Sequence, residues 1–317
     1  MSFSNSTPIG PDWSNGRTAR RPLTWGYALV WYHGFIRHDV YGSSMLGKLD
    51  FLKRHGLVTT GAGLSEIVNM DAAERDKLGE ELALHGLQLT PRIKYDYLNA
   101  TKEVRERETE RIAEELRQWL PLTRGQIVTT EMCAGNRFDR KLPLEEKLSR
   151  VSEALAPLAA ICSELGAPLA VENHGDFYIA DIVQLCQATK QLYIYLDTGN
   201  TYLIGERPLP AFELAAPYTI GTHFKDHIVG PRPDVYPLQF EIKGAALGEG
   251  DVPLRECYEL LMKHAPLKDK LVLEVEMIAP TDMDPQQCLE RSLRFIQSLE
   301  PAATGSKATF SEGEIGK

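Results

Sequence analysis

The chain has no apolar run long enough for a membrane span, no closely spaced cysteine pair and no excess of basic residues. Its Ala-rich stretch over 154–171 is interrupted by Glu164 and by prolines, well short of the roughly 18 apolar residues a spanning helix needs. Residues 1–21 are polar, contain Pro8 and Pro11, and lack the apolar core of a signal peptide. These absences predict a soluble, cytoplasmic protein with no membrane partner. Cys133, Cys162, Cys186, Cys257 and Cys288 are odd in number and widely spaced, which argues against a zinc ribbon or a redox CxxC site. A formal charge of -9 argues against a nucleic-acid partner, because affinity for phosphates requires a basic face. Gly61-Ala62-Gly63 lacks the third glycine and the helix of a dinucleotide-binding turn, and Gly248-Glu249-Gly250 is not a phosphate-binding loop of the P-loop kind.

With 317 residues, 43% of them hydrophobic, the chain can fill one α/β barrel, which takes about 250 residues. Short apolar runs alternate with longer amphipathic ones, the mark of repeated βα units. Strands are predicted over 23–31, 57–62, 88–93, 126–131, 168–172, 192–197, 219–223 and 270–276, and the clearest helices over 70–85, 102–120, 144–165 and 285–299. In the second of these helices Val104, Ile112, Leu116, Trp119 and Leu120 share a face, leaving the Arg and Glu residues as a solvated one. His55 and His85 each precede a glycine, the pattern of a helix C-terminus with a cationic last turn. The fold class predicted is a (β/α)8 TIM barrel over 22–300, with a polar extension over 1–21 and a disordered tail over 301–317.

Four apolar runs in the second half end on a hard-metal ligand: Glu172, Asp197, His223 and Glu274. One carboxylate at a strand end is an ordinary cap or turn residue. Three carboxylates and an imidazole at successive strand ends converge on one point when the strands are parallel neighbours. That donor set suits Mn²⁺, Mg²⁺ or Co²⁺ better than structural zinc.

The segments Val171-Glu172-Asn173-His174-Gly175-Asp176-Phe177, Leu196-Asp197-Thr198-Gly199-Asn200, Thr222-His223-Phe224-Lys225-Asp226-His227 and Gly248-Glu249-Gly250-Asp251 resemble the sugar phosphate isomerase/epimerase group of the xylose-isomerase-like barrels. The resemblance implies one divalent metal, Mn²⁺ in preference to Mg²⁺ or Co²⁺, on Glu172, Asp197, His223 and a glutamate of the last strand. Glu274 and Glu276 lie two apart and face the same side. Glu274 is favoured because, like Glu172, it follows three apolar residues. Glu172 and Glu274 are then also the expected catalytic acid/base pair, as in the family's ketose 3-epimerases. His174, Asn200, Lys225 and His227 are candidates for substrate contact. Lys225 could equally pair with Asp226 or another carboxylate. Trp25, Trp31, Tyr32 and His33 could stack on a sugar or pack in the core, and Arg92 and Lys94 could bind an anion or be loop charges.

Ketose 3-epimerases carry His three residues after the metal Asp and Arg six after the metal His, where this chain has Asn200 and Val229. The expected function is therefore a metal-dependent isomerase or epimerase on a sugar, keto-sugar or polyol, working through an enediolate. A lyase or dehydratase on a keto-sugar or keto-glycoside is the main alternative. An abasic-site endonuclease relative and a non-catalytic sugar-binding subunit are weaker ones. Homo-oligomerisation is left open.

Overall fold

A computed structural model describes residues 24–28, 44–233 and 235–299. Elements are numbered in chain order: β1 Thr24–Tyr27, α1 Met45–His55, β2 Thr59–Gly63, α2 Leu64–Val68, α3 Ala72–His85, β3 Gln88–Arg92, α4 Lys102–Thr123, β4 Val128–Glu131, α5 Leu144–Glu164 and β5 Leu169–Glu172. The second half holds α6 Ile179–Ala188, β6 Leu192–Asp197, α7 Asn200–Leu203, α8 Pro208–Ala215, β7 Thr219–Phe224, β8 Asp226–Pro231, β9 Phe240–Ala245, α9 Leu254–His264, β10 Val272–Val275 and α10 Pro285–Leu299. Strands β1 to β7 and β10 pair in parallel and close into an eight-stranded barrel in the order β1-β10-β7-β6-β5-β4-β3-β2. The expected TIM barrel is the observed fold. The expectations for 1–21, for Trp31, Tyr32 and His33, and for 301–317 lie outside the described residues.

Strand residues alternate between two environments. Outward positions such as Val171, Leu196 and Leu273 join the main core beneath the helices. Inward positions carry Thr59, Thr90, Thr129, Glu172, Tyr195, Asp197, His223 and Glu274, all buried. A barrel interior this polar at one end requires internal partners for each group. Trp25 faces outward, buried between Phe224 and Tyr258 at ring centroid distances of 5.6 and 6.4 Å, and is core rather than a sugar platform.

One expectation about the helix ends needs adjustment. Gly56 and Gly86 are left-handed caps, at φ 66° and 64°. The His55 ring, however, packs on Phe51 at 4.6 Å, and burial lowers its pKa to about 4, so it adds no charge to its helix end at neutral pH. The sequence pattern predicts no hairpin between β7 and α9. There β8 and β9 form an antiparallel ribbon that leaves the mouth of the barrel directly after Lys225. No helix of the described residues is long and apolar enough to cross a membrane.

Candidate metal centre

Glu172 ends β5, Asp197 ends β6, His223 lies near the end of β7, and Glu276 follows β10, its N–H donating to Phe224 O at 2.8 Å. Glu172, Asp197, His223 and Glu276 are all buried, and one ligand atom from each lies within 4.8 Å of the others. His223 Nδ1 is 2.9 Å from Glu172 Oε1 and 3.3 Å from Glu276 Oε2. Lys225 Nζ lies 2.7 Å from both Asp197 Oδ2 and Glu276 Oε2.

The group differs from the expected set at one position, since Glu276 stands where Glu274 was expected. Register supplies the reason. One row of paired residues runs Glu172, Tyr195, Gly221, Val272 across β5, β6, β7 and β10. The clustered residues lie progressively beyond that row: Asp197 two past Tyr195, His223 two past Gly221, Glu276 four past Val272. Strands in an eight-stranded barrel of shear 8 climb about one residue each, so the third strand on from β5 calls for about three. Inward parity admits only two or four, that is Glu274 or Glu276. Glu274 is level with His223 and turns down into the barrel, where Tyr195 Oη and Thr90 Oγ1 donate to it at 2.9 and 3.0 Å. Its Oε2 lies 3.5 Å from His223 Nε2. A carboxylate against the far nitrogen orients the imidazole and directs Nδ1 into the cluster.

Asn173, not singled out from the sequence, ties β5 to β6. Its Nδ2 donates to Asp197 O at 2.8 Å and its Oδ1 accepts from Asp197 N at 2.7 Å. Asn200 belongs to the same brace, donating from Nδ2 to Asn173 O at 2.9 Å. Asp197 Oδ1 accepts from the N–H groups of Gly199 and Asn200 at 2.9 and 3.0 Å. Lys225 therefore pairs with Asp197 and Glu276 rather than with Asp226, whose carboxylate accepts from the backbone of His227, Gly248, Gly250 and Val252. His227 is buried and packs against Gly199. His174 is exposed beside Glu172 and Asp176.

Burial opposes every charge in this cluster, and the outcome depends on the neighbours. Against burial, the His223 imidazole and Arg92 hold the Glu172 carboxyl down at about 2. Glu172 and Glu276 in turn raise His223 to about 10, and Asp197 and Glu276 keep Lys225 protonated. Desolvation lifts Asp197 above the usual carboxylate range in spite of Lys225. Three buried carboxylate donors with one imidazole fit a hard divalent ion, whose charge offsets their desolvation.

The sequence matches the xylose isomerase-like TIM barrel family over residues 50–299, and the chain belongs to that family. No curated protein matches it. Among solved structures it is similar to 3-keto-D-glucoside 4-epimerase, YcjR, from E. coli, with TM-score 0.60 and 16% identity over 87% of this chain and 100% of that one. It is similar to D-psicose 3-epimerase from Clostridium cellulolyticum H10, solved with D-tagatose, with TM-score 0.64 and 11% identity over 87% and 98% of the two chains. It is also similar to a xylose isomerase-like TIM barrel protein from Mycobacterium smegmatis in complex with magnesium, with TM-score 0.57 and 15% identity over 80% and 86%.

Proposed function

We propose that the chain is a divalent-metal-dependent isomerase or epimerase acting on a sugar, keto-sugar or polyol, with Glu172, Asp197, His223 and Glu276 as the metal ligands. The observation that carries this reading is the convergence of those four buried donors at the C-terminal mouth of the barrel. In this fold that face is where chemistry is assembled. The family membership and the sugar epimerases among its structural relatives support the same class.

A divalent ion held there supplies Lewis-acid polarisation of the substrate oxygens and makes a proton on the adjacent carbon easier to remove. Glu172 and Glu276 end the run of four adjacent strands and bracket the space between them. One carboxylate takes the proton from the substrate carbon, and the other returns a proton to the same or the neighbouring carbon. Lys225 Nζ, bonded to both Asp197 and Glu276, holds these two carboxylates in position. Glu274, committed to Tyr195, Thr90 and His223, acts by positioning the imidazole.

Metal titration of the full chain, paired with solvent exchange in D₂O against a panel of ketoses and keto-glycosides, tests the reading. One ion per chain and deuterium in an otherwise retained sugar are expected. An unsaturated product or a released aglycone would instead make the protein a lyase. Glu276→Gln and His223→Ala are each expected to weaken metal binding about 10-fold or more, and Glu274→Gln by less. If Glu274→Gln loses the metal while Glu276→Gln keeps it, the ligand set is displaced by two residues.

A further inference from the structure

Opposite Glu276, on the other side of Glu172, the mouth is lined by cations. Arg92 ends β3 with its side chain 20% exposed, and Lys94 follows it. The Arg92 guanidinium lies 3.8 Å from Glu131 Oε1 and 3.9 Å from Glu172 Oε2, and among the described residues it makes no side-chain hydrogen bond. Its five N–H donors are thus mostly withdrawn from water and left without acceptors at bonding distance, a costly arrangement for a charged group. Both neighbouring carboxylates have other partners. Lys94 Nζ donates to Glu131 Oε2 at 2.9 Å, and Glu172 accepts at Oε1 from His223.

Resting on the metal-site reading, in which Glu172 gives its charge to the ion, Arg92 becomes a surplus cation beside the cluster. A planar fork of donors matches an anionic group with two or more oxygens, whereas a sugar hydroxyl uses only one of them. We infer that Arg92 is a substrate-binding residue that selects acidic sugars, its guanidinium holding an anionic oxygen group, carboxylate or phosphate.

The test compares three probes on one carbon skeleton, D-glucuronate, D-glucose 6-phosphate and D-glucose, by calorimetry on the Mn²⁺-loaded full chain. A charge-assisted pair should make at least one anion bind about 10-fold or more tighter than glucose. The tighter anion identifies the group as carboxylate or phosphate. In Arg92→Gln that preference should fall to within about threefold, and Arg92→Lys, which keeps the charge but loses the fork, should retain part of it. An arginine that only supports the fold would change binding of all three probes together and leave their ratio unaltered. The inference is overturned if the wild type prefers neither anion, including the case in which no probe binds. It is equally overturned if either folded variant keeps the full preference. Metal content is measured on the same samples. Absence of the ion from the wild type sinks the metal-site reading, while the anion-to-glucose ratio reports on Arg92 separately.

Discussion

His223 stands where three glutamates meet, with Glu172 and Glu276 against Nδ1 and Glu274 against Nε2. In the metal-free chain its pKa is raised from an ordinary 6.5 to about 10, so the folded state holds the proton more tightly than the unfolded one. That stabilisation is complete below about 6.5 and is lost as pH rises towards 10. Glu172 behaves in the opposite sense. Lowered from 4.5 to about 2, it stabilises the fold above 4.5 and ceases to do so as pH falls through 2. The melting temperature of chelator-treated protein should therefore decline between pH 7 and 10, with a change in stability on the order of 3 kcal/mol assignable to this imidazole. His223→Asn should flatten that decline. A wild-type profile that is flat over the same range would show that the His223 proton is not held by these carboxylates.

The strands carry their information unequally. Apolar runs ending on Glu172, Asp197 and His223 were legible because each strand is short and its last inward residue is polar, which a core position does not tolerate without a partner. The last strand was not legible at the same level. Glu274 and Glu276 share parity, and only the stagger of the closed barrel, which depends on pairings along all the strands, raises Glu276 to the level of Glu172, Asp197 and His223. The β8–β9 ribbon leaves no pattern in the sequence, because its exposed Ile228 and Phe240 point to no core. Asn173 gave only its adjacency to Glu172, and its bracing of the β6 tip is a tertiary fact. Gly221 on β7 makes the strand packing testable. A Cβ there would lie 2.5 Å from Tyr195 Cδ2, and Tyr195 is the donor to Glu274 and an edge-on neighbour of His223. Gly221→Ala should cost about 1–3 kcal/mol in denaturant unfolding and weaken metal binding with it. Wild-type metal affinity in that variant would mean that Tyr195 has no part in orienting the centre.

The barrel as a whole owes its cohesion to a continuous apolar shell beneath the helices, while the polar centre occupies one rim. Chelation should accordingly leave the far-ultraviolet circular dichroism spectrum unchanged and lower the melting temperature only by the linkage term of ligand loss. Collapse of the spectrum would make the ion a structural one. Lys225 extends this separation of scaffold from chemistry. Its ammonium lies against Asp197 and Glu276 and partly neutralises the rim. A barrel that carries such an internal counter-ion can fold with its buried carboxylates partly screened. Under the function proposed above, the supply of the ion, rather than the folding of the chain, then sets when the centre becomes competent.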